Sequence, residues 1–257
     1  MKKDNEISFI EIIGKVNKEE IGSGGFAKVY KFEYNGKIYA LKEISFNNEE
    51  EINDVEKEAK ILSFFNNEYI VKYYDSFKKD NTFNIIMEYA GNTNLRKFIG
   101  KHKKNNQLID EKILNNIIKQ ICIGVKEIHK LNIIHRDLKP ENIFFDENNV
   151  TIKIGDFGIS KISQYAKTAI GTFKYMAPEM LDEGQNKYNN KVDIYSLGCI
   201  FYELLTLNNY FDDKNRGEIK KIDSDIYDQK WQKLIDSMLT KNYHDRPNIE
   251  EILSKLN

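Results

Sequence analysis

The sequence predicts an α+β chain in which a small antiparallel β-sheet carrying one helix comes first and a mainly helical part follows. Two observations predict this. Over the first ninety or so residues, apolar and polar side chains alternate in the strand manner, whereas after Gly91 the apolar residues recur at helical spacing. Asn35-Gly36 between two alternating runs adds a strong hairpin signal.

The elements follow in order. Residues 13–22, 27–34 and 37–44 read as successive antiparallel strands, with turns at Gly22 to Gly25 and at Asn35-Gly36. Residues 49–65 change to helical spacing and put Ile52, Val55, Ala59 and Leu62 on one face. Residues 70–77 and 82–90 return to strand character. Residues 108–131 form a long periodic helix with Ile117, Ile121, Val125 and Ile128 along its apolar face. Short strands and loops fill 133–160 and continue to Met180. Further helices are expected at 192–205, about 216–222, 229–239 and 249–256. The boundary places an N-terminal lobe at about 1–87, a hinge at about 88–94 and a C-terminal lobe at about 95–257, and ligands often bind at such a junction.

Bulk properties narrow the function. A chain of 257 residues with 40% hydrophobic and 31% charged residues buries a sizeable core and reads as soluble and globular. A formal net charge of -1 predicts neither a nucleic-acid nor a membrane partner. Cys122 and Cys199 lack metal-ligand spacing and are too few for a disulfide framework. They favour a reducing compartment, with the cytoplasm as the default and the nucleus left open. The start has no long apolar stretch of the secretory kind.

Ile21-Gly22-Ser23-Gly24-Gly25 lies between two predicted strands. Glycines there let backbone N–H groups approach phosphate oxygens, although such a run also serves as a plain hairpin turn. A Walker-type loop is excluded, since no Gly-Lys-Ser/Thr ending and no following helix occur. Lys42 stands on the next, otherwise apolar strand. Glu58 in the following helix is its natural counter-charge, and a solvated lysine is the plain alternative.

Later segments decide between these readings. Residues 134–142, Ile-His-Arg-Asp-Leu-Lys-Pro-Glu-Asn, resemble the catalytic loop of eukaryotic protein kinases. Asp156-Phe157-Gly158 resembles their metal-binding motif, and Ala177-Pro178-Glu179 the end of their activation segment. The resemblance runs from about Ile12 to Leu256 and implies a bilobal protein-kinase-like fold over 1–257, with ATP and Mg2+ as cofactors and a protein as substrate. By that resemblance Asp137 accepts or orients the substrate hydroxyl proton, and Lys139 neutralises the transferring phosphoryl group. Asn142 and Asp156 hold metal, and Lys42, held by Glu58, contacts the nucleotide phosphates. Val29 and Ala40 would cover adenine, with Met87 as gatekeeper and Glu88, Tyr89 and Ala90 as hinge. His135 and Phe157 read as packing residues. Asp193 resembles the helix-capping aspartate that anchors the catalytic loop, and Glu179 and Arg246 a structural ion pair.

The tail Lys139-Pro140-Glu141-Asn142 and the segment 171–176 resemble serine/threonine kinases, with Thr172 bonded to the catalytic aspartate and lysine. Thr168 is the expected activating phosphosite, chosen from Ser163, Tyr165, Thr168 and Thr172, and its phosphate would pair with Arg136 and Lys161. Two departures stand out. Ala27 replaces the usual third glycine, and Asn94 stands where many kinases carry an acidic residue. The latter argues against arginine-directed specificity and leaves Glu141 and Glu203 as acidic contacts. Two branches are resembled, the kinases of translation initiation factor two alpha subunit and the NIMA-related kinases. A pseudokinase scaffold is the alternative of another class, disfavoured because Lys42, Asp137, Asn142 and Asp156 are all present.

Overall fold

The computed structural model describes residues 9–24, 27–46, 48–146, 148, 150–156, 172–181, 189–210 and 221–256, without the side chains of Glu50, Asp54, Glu58 and Thr172. Two compact units emerge, Met1–Asn66 with Val71–Ala90, and Asn67–Ile70 with Gly91–Asn257. The short piece Asn67–Ile70, read from the sequence as part of the first lobe, belongs with the second. There the Tyr69 carbonyl accepts from Ile154 N–H at 2.9 Å, and Ile70 bridges Ile154.

The first unit is a five-stranded antiparallel sheet in the order β1-β2-β3-β5-β4. Its strands are β1 (Lys18–Ser23), β2 (Ala27–Tyr34), β3 (Lys37–Ser45), β4 (Tyr73–Lys79) and β5 (Thr82–Glu88). Asn35 (φ 51°) and Gly36 (φ 72°) are both left-handed, the two-residue turn whose twist matches the strands it joins. The predicted strand over 13–22 begins only at Lys18. Before it, α1 (Phe9–Ile12) turns Phe9, Ile12 and Ile13 into one sheet face beside Phe32, Tyr39, Leu41 and Ile86. The opposite face carries α2 (Glu49–Leu62), started by Asn48, whose side chain accepts from Glu51 N–H at 2.9 Å. Ile52, Val55 and Ala59 of α2 bury against Ile44, Phe83 and Ile85, as their spacing predicts.

The second unit is built on two buried helices. In α4 (Glu111–Lys130), Ile117, Ile121, Val125 and Ile128 are all buried, the stripe read from the sequence. In α6 (Lys191–Thr206) every residue from Val192 to Leu205 is buried. A helix buried on every side is an interior helix, and α7 (Lys230–Met238) packs on it while α8 (Ile249–Lys255) packs on α4. The helix α3 (Leu95–Lys104) was not anticipated: its Lys-rich end, Lys101 to Lys104, hides a stripe of only Leu95 and Ile99. Of the helix expected at about 216–222, residues 221 and 222 are not helical and the rest lies outside the described residues. The hairpin β6 (Ile143–Phe145) and β7 (Ile152–Ile154) and the short α5 (Pro178–Leu181) complete the described strands and α-helices. No helix among the described residues is long and apolar enough to cross a membrane.

Candidate active site

After α4 the chain turns into residues 133–142, whose shape is set by one buried carboxylate. Arg136 has φ +69°, a left-handed conformation that a side chain with a Cβ disfavours. Asp193, in the first turn of α6 and fully buried, holds it. Its Oδ1 accepts from Arg136 N–H and its Oδ2 from His135 N–H, both at 2.9 Å. His129 Nε2, at the end of α4, donates to the same Oδ2 at 2.9 Å. Asp193 therefore anchors the loop from within its helix and does not cap that helix, whose N-cap position is Asn190. Burial alone would raise the Asp193 pKa, but the His129 hydrogen bond and the His135 N–H outweigh it and lower it.

Asp137 is buried and its carboxylate is aimed by two donors. Lys139 Nζ lies 2.9 Å from Oδ2 and 3.2 Å from Oδ1. Asn142 Nδ2 donates to Oδ2 and to the Asp137 carbonyl, both at 2.9 Å. Pro140–Asn142 form a 3₁₀ turn, which brings residue 142 back over residue 137. Gly155 is tied to this loop on both sides. Its N–H donates to the Asn142 carbonyl at 3.0 Å and its carbonyl accepts from His135 Nε2 at 3.1 Å. His135 Nδ1 accepts from Asp137 N–H at 3.3 Å, so the two contacts together require the neutral Nε2–H ring. Burial lowers the His135 pKa against the pull of Asp193 and Asp137, in keeping with that tautomer. The packing role read for His135 was thus incomplete, because its ring also carries polar links that fix residues 137 and 155.

Asp156 follows Gly155, is exposed and has φ +55°. Asn142, by giving Nδ2 to Asp137, turns Oδ1 to the other side. Oδ1 and the Asp156 carboxylate are hard oxygen donors, the type that Mg2+ takes, so the residues present fit that ion. Among the described residues no group of three or more His, Cys, Asp or Glu side chains is placed to hold a metal ion.

Further along, Thr172–Tyr175 form a 3₁₀ turn and α5 carries Glu179. Arg246 grips Glu179 through two parallel bonds of 2.6 and 2.8 Å, with both residues buried. The guanidinium also donates to the carbonyls of Thr240, Lys191 and Lys241 and covers the Tyr195 ring. The pair inferred from the sequence is formed, and it is bidentate.

In the first unit, register places Val29, Lys42 and Ile85 opposite one another, with Ala40 opposite Met87, on the sheet face that carries α2. Glu58 lies within α2, its side chain outside the described residues. A bulge at Ile21 shifts the pairing of β1, leaving Ile21 exposed and Gly22 opposite Val29. Gly24 N–H donates to the Ala27 carbonyl at 2.8 Å and closes the turn. Glu88 N–H is already donated to the Lys72 carbonyl at 2.8 Å, and its carboxylate accepts from Lys72 N–H at 3.1 Å. Ala90 ends the second segment of this unit. Gly25, Phe157, Gly158, Lys161, Ser163, Tyr165 and Thr168, and the side chain of Thr172, lie outside the described residues.

A family model described as "Protein kinase domain" matches residues 16–256. The chain belongs to the protein kinase family. The relatives it resembles carry serine/threonine-protein kinase names. The "Probable serine/threonine-protein kinase nek2" of Dictyostelium discoideum is 35% identical over 261 residues, covering 95% of this chain and 61% of that protein. The "Serine/threonine-protein kinase Nek2" of Homo sapiens is 34% identical, covering 91% of the chain and 57% of that protein. For the "Serine/threonine-protein kinase Nek1" of Mus musculus the identity is 33%, over 93% of the chain and 21% of that protein. The kinase chain thus spans from about a fifth to three fifths of the length of these relatives. Of the two branches the sequence resembles, these relatives carry the NIMA-related name.

Sequence reasoning missed His129, which bonds Asp193, and one residue beside the catalytic loop. Arg96, in the first turn of α3, binds both Glu141 and Glu203, two residues the sequence offered as acidic contacts. Nothing in its local sequence signals this. Asn94, the departure noted above, caps α3 through Lys97 N–H at 3.0 Å and donates to the Glu141 carbonyl at 3.2 Å.

Proposed function

We propose that this chain transfers the γ-phosphoryl group of ATP to serine or threonine hydroxyls of proteins, and that phosphorylation of Thr168 switches it on. The observation that carries the reading is the Asp137 carboxylate, buried and oriented by Lys139 and Asn142 in a loop that Asp193 holds. A carboxylate fixed in this way can orient a substrate hydroxyl and take its proton as that oxygen attacks the γ-phosphorus and ADP leaves. Lys139, beside it, offsets charge on the phosphoryl oxygens. Lys42, on the α2 face of the sheet, is assigned to the nucleotide phosphates and Glu58 to orienting it. Ile21, Gly22, Ser23, Gly24 and Gly25 are assigned to covering the phosphates, and Val29, Ala40, Met87, Glu88 and Ala90 to the adenine. Asn142 and Asp156 would hold Mg2+, which when bound supplies positive charge to the phosphate oxygens. Thr168, with Arg136 and Lys161 as phosphate partners, is the proposed switch, and Thr172 the residue that meets Asp137 and Lys139. A protein substrate in a reducing compartment, by default the cytoplasm, fits the composition.

The test is phosphate transfer from labelled ATP with Mg2+ to a generic protein substrate, with mapped products. Label on serine or threonine that falls by about 10²-fold or more in Asp137→Asn supports the reading. A Thr168→Ala variant that stays fully active without phosphate elsewhere on its loop removes the switch. Nucleotide binding without turnover, unrescued by Thr168→Glu, favours the scaffold alternative.

A further inference from the structure

Beside the catalytic loop, within the second unit, two carboxylates converge on one guanidinium. Arg96 Nε donates to Glu141 Oε1 at 2.7 Å, and Nη1 donates to Glu203 Oε1 at 2.5 Å. Nη2 donates to Glu203 Oε2 at 3.3 Å and to the Tyr175 hydroxyl, which itself donates to Glu203 Oε2 at 2.5 Å. With its amide nitrogen turned toward Glu203, Asn209 adds a bond of 2.9 Å to Oε1. Glu203 is 3% exposed, while about a third of the Arg96 side chain and 43% of that of Glu141 reach solvent. The Glu141 Oε2 is buried and has no hydrogen-bond partner. Burial opposes the Arg96 charge, but the bonds to Glu203 and Glu141 outweigh it and raise its pKa, so the cation is permanent.

The position of the cluster gives it meaning. Glu141 immediately precedes Asn142, and Tyr175 closes the turn that Thr172 opens. Carboxylates beside a phosphoacceptor site would take a substrate arginine in a charge-assisted fork. Here the chain supplies that arginine itself, saturating Glu203 and one oxygen of Glu141. An incoming basic side chain meets a guanidinium already in place.

We propose, resting on the kinase reading above, that Arg96 is a specificity-determining residue. It fills the acidic site with its own guanidinium, and the chain therefore selects hydroxyl-bearing peptides without preference for arginine near the phosphoacceptor. A purely structural staple would hold the same bonds but would not govern peptide choice, and the test separates the two.

Two fluorescent serine peptides, one flanked by arginines and one by norleucines, are titrated with the full chain at 0.15 M salt as roughly the physiological value, and binding is read by anisotropy. The wild type is expected to bind both within about threefold, and Arg96→Gln to prefer the arginine peptide by about tenfold or more. Adding Glu203→Gln to that variant should return the ratio to the wild-type value. A tenfold arginine preference in the wild type, of about 1.4 kcal/mol, overturns the proposal by itself, whether or not any variant folds. So does an unchanged ratio in Arg96→Gln and Arg96→Ala with the melting temperature retained. Because binding is read, failure of the kinase reading shows separately, as absence of phosphate transfer to either peptide.

Discussion

Single residues in this protein are held by partners remote in sequence, and the Glu179–Arg246 pair shows the cost of removing one. Both side chains are buried, and the guanidinium has five oxygen acceptors among Glu179 and three carbonyls. Arg246→Met leaves a buried carboxylate without its counter-charge and is expected to lower stability by about 3–5 kcal/mol in urea unfolding. The double variant Glu179→Leu with Arg246→Met should recover a substantial part of that loss, because apolar packing replaces both ions. What was legible at this scale follows the same geometry. Asp137, Lys139 and Asn142 lie within six residues of one another, so a contiguous motif exposes them, and their mutual bonds are local. Arg96 is separated from Glu141 by 45 positions and from Glu203 by 107, and no local pattern links them. His129 was hidden for the same reason, since its partner Asp193 lies 64 positions on.

Elements with a clear period were read correctly, and those whose burial is narrow were not. The stripes of α2 and α4 are wide and regular, and α6 is mostly apolar, so each was visible. The helix α3 buries little and is largely basic, so its period is faint; its start is fixed by Asn94. That residue serves two ends at once, accepting from Lys97 N–H and donating to the Glu141 carbonyl. Asn94→Asp keeps the acceptor and loses the donor, whereas Asn94→Ala loses both. Urea unfolding should therefore rank them, with Asn94→Ala costing about 1–3 kcal/mol and Asn94→Asp clearly less. Equal losses would mean that the cap contributes nothing. The entry to this region is also constrained by Gly91, at φ +81°, where a Cβ would stand 2.6 Å from the Phe145 carbonyl oxygen. No side chain fits there, which explains a glycine that the sequence reading had used only as a boundary mark.

The whole molecule is expected to respond to acid through the buried groups behind the catalytic loop. The native pKa of His135 is lowered by burial, so between that value and the unfolded value of about 6.5 the unfolded chain binds more protons. Its contribution to stability is complete above about pH 6.5 and is lost as pH falls through the native value. Asp193, whose native pKa is also lowered, contributes fully above about 3.9 and loses that contribution only as pH falls through its own native value. Melting temperature should thus hold between about pH 7 and 8, decline below about 6.5, and decline again in stronger acid. His135→Asn removes the first titration and should flatten the first decline; an unchanged slope there would assign it to other groups.

The burial of α6 also has a consequence for how the polypeptide is made. Its apolar surface is covered in part by α7, which begins at Lys230, with Met238 and Leu239 closing on Gly198. Translation begins that helix some 25 positions after Leu205, roughly one to five seconds later at usual synthesis rates. During that interval the nascent chain carries a greasy helix whose α7-facing side has nothing yet to shelter it, a natural point for a chaperone to act.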